Sequence, residues 1–336
     1  MQTLIITGAA GFIGSNFVRY MLVRYPAYRL IALDSLTYAG NLANLADVWK
    51  NPNFTFIKGD ICDESIVNNL AQNADAIVNF AAETHVDRSI ATPGQFIQTD
   101  VNGTYVLLEA ARKHELERIL HVSTDEVYGT IDEGSFKEGD ALEPNSPYSA
   151  SKASAEMMVR AYHQTYGLPT IVTRGSNTFG PNQYPEKMLP LFITNLIDDI
   201  PVPVYGDGHQ MRDWMYVTDH CQGIDLALHH GVPGEAYNVG GDNDRKNIDV
   251  VHLLLEYLNK PETLIHHVKD RPGHDRRYSL DVTKSRKIGY TPDTDFESRL
   301  RDTVQWYVGH QEWWRTIKEK DQEYQSFMKK WYADRQ

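Results

Sequence analysis

The segment Thr7-Gly8-Ala9-Ala10-Gly11-Phe12-Ile13-Gly14 constrains this chain more than any other. It follows an apolar, β-branched run (Leu4–Thr7) directly and opens a stretch with helical spacing from Asn16 to Arg24. Three glycines at a strand-to-helix junction describe a dinucleotide-binding turn. Gly8 permits the tight turn, Gly11 lets the backbone approach a pyrophosphate, and Gly14 allows close helix–sheet packing. The helix N-terminus supplies the positive end that an anion needs. Asp34 ends the next apolar run, 20 residues after Gly14, where a carboxylate can accept hydrogen bonds from an adenosine ribose. A 2′-phosphate would meet a like charge there. Ser35-Leu36-Thr37-Tyr38 offers no Arg or Lys to offset it, so the expected cofactor is NAD and not NADP.

The rest of the first half keeps the rhythm of that opening unit. Short apolar runs (Arg29–Leu33, Phe54–Ile57, Ala76–Phe80, Ile119–Val122, Thr170–Thr173) alternate with helical spacing over Ser65–Ala71, Val101–Lys113 and Ser151–Tyr166. Such alternation predicts an α/β fold, a Rossmann-like doubly wound parallel sheet. After Gly175 five prolines between Pro181 and Pro203 break the chain into short pieces, with a helical run over Leu189–Ile197. Gly206-Asp207-Gly208 reads as a hairpin-like turn. A helix is expected over Val217–His230, then a small mixed lobe built from Ala236–Val239, Ile248–Leu258 and Leu264–Val268. The division is a dinucleotide-binding domain over 1–175 and a smaller mixed α/β substrate lobe over 176–336, with some later segments returning to the first. The charged, aromatic stretch from Trp313 onward reads as a peripheral, solvated helix, with a partner contact as the alternative.

Composition excludes several classes. Of the 336 residues, 33 are Lys or Arg and 45 are Asp or Glu, a net charge of −12. Such a surface repels nucleic acid and anionic lipid. An anionic small ligand then requires Arg or Lys gathered in one pocket. Cys62 and Cys221 form neither a C-x-x-C pair nor a metal spacing, and none of the 13 histidines belongs to a metal-ligand constellation, so no metal is expected. Adjacent His266 and His267 point to opposite faces of a strand-like stretch, and His229-His230 end a helix. The N-terminus runs straight into the glycine turn without a basic leader, and no apolar stretch reaches the roughly 20 residues that span a bilayer. A cytoplasmic location is expected.

Two further motifs carry chemistry. Tyr148-Ser149-Ala150-Ser151-Lys152 places a phenol and an ammonium four residues apart, on one helix face, where the cation can lower the phenol pKa. A phenol near its ordinary value of about 10 is a poor base at neutral pH and needs that help. With the G-x-x-G-x-x-G spacing, this pair resembles the extended short-chain dehydrogenase/reductase superfamily. Thr124, Asp125 and Glu126 end a strand, where open parallel sheets bind their ligands. Hydride transfer alone needs a hydroxyl there; two adjacent carboxyls suit a reaction that needs both an acid and a base.

The T-D-E triplet with Y-x-x-x-K resembles the nucleotide-sugar 4,6-dehydratases, most specifically those acting on dTDP-glucose. The resemblance runs from Met1 to at least Asp281 through Ala81-Ala82-Glu83-Thr84-His85-Val86-Asp87-Arg88-Ser89, Gly206–Trp214 and Asp270-Arg271-Pro272-Gly273-His274-Asp275. Thr84 stands where Ser is more usual, and the Gly129–Tyr148 connection is shorter than in some members.

The resemblance implies a redox-neutral dehydration. Tyr148 takes the proton of the sugar 4-hydroxyl, assisted by Thr124 and Lys152, while hydride leaves carbon 4. Glu126 then removes the carbon 5 proton, protonated Asp125 expels the 6-hydroxyl as water, and hydride returns to carbon 6 while Glu126 gives the proton back to carbon 5. Adjacent carboxyls favour one neutral and one ionised partner. By the same resemblance NAD is held by Gly8, Gly11, Phe12, Ile13, Gly14, Asp34, Ser35, Leu36, Thr37, Asp60, Ile61, Phe80, Ala81, Ala82, Thr84, Thr99, Tyr148 and Lys152. The nucleotide-diphosphate sugar, dTDP-glucose, is held by Thr84, His85, Thr124, Asn177, Lys187, Met188, Pro203, Tyr205, Arg212, Asn247, Arg271 and His274. Arg212 and Arg271 meet the diphosphate, where planar guanidinium suits paired oxygens. A UDP-hexose 4-epimerase would share the cofactor, Tyr148 and Lys152 but not need Asp125 and Glu126. Dehydratases for CDP-, GDP- or UDP-sugars would differ in the base pocket, and a silent NAD-binding module would need a broken catalytic set. The Val101–Lys113 and Ser151–Tyr166 helices suggest a homodimer, packing across a two-fold axis.

Overall fold

The computed structural model describes residues 1–270 and 273–333. Its first half builds β1 (Thr3–Thr7), β2 (Arg29–Asp34), β3 (Phe54–Lys58), β4 (Ala76–Asn79), β5 (Arg118–Thr124) and β6 (Thr170–Gly175). Strand register alternates side chains between the two faces, and both faces are covered. Leu4 and Ile6 of β1 pack toward the helices Phe12–Arg24 and Val217–His230, whereas Ile5 packs toward Glu64–Ala71, Thr104–Lys113 and Pro147–Tyr166. This explains why the strand runs are apolar on successive residues.

The strands of the second half are divided among three sheets. β7 (Asn177–Phe179), β8 (Val202–Tyr205) and β9 (Met211–Tyr216) lie outside the main sheet, but β10 (Ala236–Val239) pairs in parallel with β6. The main sheet therefore has seven parallel strands in the order β10-β6-β5-β4-β1-β2-β3. Assigning Ala236–Val239 to the small lobe is corrected: Tyr237 joins the same core as Leu120 and Ile171, together with Val217, Ile224 and Leu228 of the preceding helix. A strand that short carries no signal of which sheet it will join; its apolar partners decide.

The Gly206–Gly208 turn is not a hairpin. β8 pairs in parallel with β12 (Ile265–Val268), while β9 lies between β7 and β11 (Asp244–Lys246), so the turn joins strands of different sheets. The lobe's core gathers Leu189, Phe192, Val202, Trp214, Val251, Leu254, Phe296, Tyr307 and Trp314. The helix expected over Val101–Lys113 begins earlier, with π-type turns over Ile97–Gly103 before the α-helix Thr104–Lys113.

The stretch after Trp313 is also corrected. It forms the helices Gln311–Lys320 and Gln322–Ala333, and it is not a solvated appendage: Trp314 is fully buried and Tyr324 nearly so. Tyr324, Phe327, Met328, Trp331 and Tyr332 follow helical spacing and form a continuous apolar stripe.

Candidate active site

The strand order reverses between β1 and β4, which lie side by side while their successors run to opposite edges. Ligands of doubly wound sheets bind at that point. Gly8 adopts φ +62, and a Cβ there would stand 2.7 Å from the Ala81 nitrogen; a Cβ on Gly14 would overlap the Gly8 carbonyl oxygen. The turn is thus closed by backbone contact that only glycine allows. Asp34 is buried, with one oxygen receiving the Ala10 N–H at 2.9 Å and the other the Leu36 N–H at 2.8 Å. Each oxygen keeps a lone pair for a ribose hydroxyl. Burial raises its pKa, and the two backbone N–H groups oppose that rise.

A cavity of about 300 Å³ runs from this turn to the end of β5. Its walls include every residue expected around the cofactor except one. Leu36 is the exception: its N–H is committed to Asp34 and its side chain packs against the main core. The glycine turn, the acidic residue and a long cavity at the switch point suit NAD. When bound, NAD supplies a hydride acceptor that can give the hydride back.

The residues expected to carry the chemistry stand at the inner end. Thr124 closes β5 and caps the 3₁₀ turn Asp125–Tyr128 by accepting from the Glu126 N–H at 3.3 Å. The cap is the threonine, so neither carboxyl is used up as a turn cap. Below the turn, the Tyr128 hydroxyl donates to Asn238 at 2.8 Å and receives Arg174, whose guanidinium is paired with buried Glu156. Asp125 is buried; Thr124 Oγ1 donates to its Oδ1 at 3.1 Å, while its Oδ2 has no hydrogen-bond partner. Burial first, then the Glu126 and Asp213 carboxylates, push its pKa well above the ordinary value. Such an environment favours the protonated form of the acid next to a second carboxyl.

The helix Pro147–Tyr166 starts at a capping box between Ser146 and Ser149, with Pro147 in its first turn. That start places Tyr148 and Lys152 on the cavity wall. In the protein alone the Tyr148 phenol pKa is not lowered. Burial and the Glu126 and Asp100 carboxylates hold the phenol well above its ordinary value, a hydrogen bond with Thr124 acting the other way. The Lys152 ammonium instead donates to the Val122 carbonyl at 2.7 Å, and burial lowers its own pKa. Spacing fixed which face the pair shares but not where the ammonium points.

A second cavity lies in the smaller lobe and includes Glu126, Asn177 and Lys187, which the first cavity also includes. Around it stand His85, Met188, Pro203, Tyr205, Arg212, Asn247 and His274, all expected from the sequence; Thr84 and Thr124 belong to the cofactor cavity, and Arg271 lies outside the described residues. Arg212 is held by the Met211 and Asp275 carbonyls and stacks over Tyr278 at 4.4 Å. Asn177 Oδ1 and Asn247 Oδ1 are buried without hydrogen-bond partners, as positions that await a polar ligand would be. Sequence reasoning missed Asp87, Glu186 and Tyr332 on this wall. For Tyr332 the signal was present, in the apolar spacing of the last helix.

Comparison with known proteins agrees with this geometry. The family described as GDP-mannose 4,6 dehydratase matches residues 5–303. The chain belongs to this family. This family member is 49% identical over 317 residues to the dTDP-glucose 4,6-dehydratase of an Actinoplanes species, covering 93% of this chain and 99% of that one. It is also similar to a crystal structure of dTDP-glucose 4,6-dehydratase from Streptomyces venezuelae with NAD bound, at 49% identity and a TM-score of 0.92, covering 94% and 100% of the two chains. A Bacillus cereus UDP-glucuronic acid 4-epimerase with NAD shares the fold at 27% identity and a TM-score of 0.87, over 92% and 99%.

Proposed function

We propose that this protein is an NAD-dependent dTDP-glucose 4,6-dehydratase, a hydro-lyase that forms dTDP-4-keto-6-deoxyglucose and water in deoxysugar biosynthesis. The observation that carries the proposal is the meeting of two cavities at Glu126, with the buried Asp125 carboxyl, one oxygen unpartnered, beside it. The epimerase reading leaves that pair without a task.

The residues divide the work by environment. Tyr148 accepts the proton of the sugar 4-hydroxyl, and Thr124, within hydrogen-bonding reach of the phenol, orients the same oxygen. Since the phenol is held protonated in the protein alone, this transfer has to be driven by the bound ligands. Lys152, fixed on the Val122 carbonyl, sets the position of the helix face from which Tyr148 projects. Once carbon 4 is a ketone, the carbon 5 proton is acidic and Glu126, the less buried carboxyl, removes it. Asp125 already carries the proton that the departing 6-hydroxyl needs. Arg212, with Arg271 by resemblance, faces the diphosphate, which reconciles an acidic chain with an anionic substrate.

The same reading makes the enzyme a cytoplasmic homodimer. Ile97, Tyr105, Met157 and Tyr166 leave large apolar side chains exposed on the two neighbouring helices expected at a two-fold axis. Cys62 and Cys221 are free thiols, in keeping with a reducing compartment. No described helix is long and apolar enough to cross a membrane.

The test mixes purified protein with dTDP-glucose, without added NAD, and follows the alkali-induced absorbance of the 4-keto-6-deoxy product. An Asp125→Asn, Glu126→Gln variant runs alongside. Product without net NADH, lost in the variant, supports the reading. Silence of the unaltered protein even with NAD supplied refutes the substrate assignment, and UDP-, CDP- and GDP-sugars then identify the base.

A further inference from the structure

Arg88 has no task in the chemistry above, yet it is heavily engaged near it. It lies in the short helix Val86–Ala91 and is almost fully buried. Its Nε donates to Glu186 at 2.9 Å and its Nη1 to Glu323 at 2.7 Å. Its guanidinium lies 3.7 Å from the Tyr38 ring centre and 4.5 Å from that of Phe327. These partners come from three separate places. Tyr38 sits between Thr37 and Ala39, which line the cofactor cavity; Glu186 lines the substrate cavity next to Lys187; Glu323 and Phe327 belong to the last helix.

That helix reaches the second cavity. Phe327 meets the His85 ring edge-on at 5.6 Å and stacks on Trp331. The Trp331 indole N–H donates to the Tyr205 hydroxyl at 2.7 Å, and that hydroxyl donates to Asp87 at 2.9 Å. Tyr332 stacks on Tyr205 and lines the cavity. Yet the helix lies wholly beyond residues 5–303, the part that matches the family. Twelve residues make a marginal helix in isolation, so its position depends on what it docks against.

We propose that Arg88 is a positioning residue that clamps the C-terminal helix Gln322–Ala333 over the nucleotide-sugar cavity and ties its closure to the loop that borders the cofactor. The guanidinium suits this role because one planar group stacks between two rings while its edge forms two charged hydrogen bonds. An ammonium keeps the charge and loses both stacks. The clamp acts on substrate affinity through Trp331 and Tyr332, not on bond breaking.

The proposal rests on the dTDP-glucose reading, and the experiment separates the two. Full-length protein and its Arg88→Lys, Phe327→Ala and combined variants are titrated with dTDP by calorimetry and assayed for KM and kcat with dTDP-glucose. Amide exchange over residues 322–333 is followed with and without dTDP. Each single variant is expected to raise KM and the dTDP Kd about tenfold, with kcat within about twofold. Exchange should quicken in the last helix alone and slow again at saturating dTDP. The combined variant should fall short of the product of the single effects, because both changes open one clamp. Loosened exchange with unchanged KM overturns the clamp, as does a fall in kcat at unchanged KM. Phe327→Ala carries the test if Arg88→Lys fails to fold, since Glu186 then keeps its partner. Unaltered protein that does not bind dTDP overturns the substrate reading itself; binding that is equal in all forms overturns the clamp alone.

Discussion

Asp125→Asn separates the acid from every other feature of the site. Asn keeps the shape and still accepts the Thr124 hydroxyl through its carbonyl oxygen. Its amide occupies the place of Oδ2, which already lacks a partner, so the polar loss at that atom is about the same before and after. What disappears is the proton and the titration. In the folded protein burial and the Glu126 and Asp213 carboxylates raise the Asp125 pKa well above that of the unfolded chain. A carboxyl raised in this way contributes stability that is complete below the unfolded value and is lost as pH rises toward the folded one. Above about pH 5 the unfolded chain is already ionised, so wherever the folded site still holds its proton the parent loses stability as the pH rises. The Asn variant has no such loss. Its advantage over the parent should therefore grow between pH 5 and 7, on the order of 1 kcal/mol per pH unit at most, read as a relative gain in Tm. Over the same interval kcat should fall by about 10²- to 10⁴-fold, the usual worth of a positioned general acid. Paired thermal melts at pH 5 and 7, with single-turnover kinetics, read both. A variant whose relative stability is the same at both pH values would falsify the neutral-acid assignment, and retention of more than a tenth of kcat would remove Asp125 from the proton path.

Other perturbations test the surrounding framework. Gly14→Ala forces a Cβ into the Gly8 carbonyl, so the purified protein should lose its bound nucleotide, measured as released NAD per chain, and should regain little activity with NAD added. Arg174→Met leaves the buried Glu156 carboxyl without its partner beneath the Asp125–Tyr128 turn; urea unfolding should show a loss of about 3–5 kcal/mol, and a loss below about 1 kcal/mol would mean that the pair is not desolvated. Met157→Arg places a charge on the exposed apolar face of the proposed dimer contact, so sedimentation should show monomer where the parent shows dimer, with the monomer still folded.

The sequence by itself determined whatever depends on spacing along a few residues. The glycine turn, the carboxylate at the end of β2, the T-D-E end of β5 and the shared face of Tyr148 and Lys152 are local, because strand-to-helix geometry leaves those side chains little choice. Most site residues around both cavities were legible through the resemblance to a known family, which those same motifs carried. Only the tertiary structure decided what depends on partners far along the chain. Ala236–Val239 joined the main sheet because Tyr237 found the core of Leu120 and Ile171. The turn at Gly206–Gly208 linked two sheets because the hydrogen bonds of β8 were taken by β12. Lys152 turned to the Val122 carbonyl, and burial, with the carboxylates around it, raised the Tyr148 pKa. The last helix looked solvated because its stripe of aromatics had no visible partner in sequence; Arg88, some 235 residues away along the chain, supplied one. Hydrophobic periodicity reveals that a face will be buried but not against what, and electrostatic direction is set by which charges folding brings within a few ångströms.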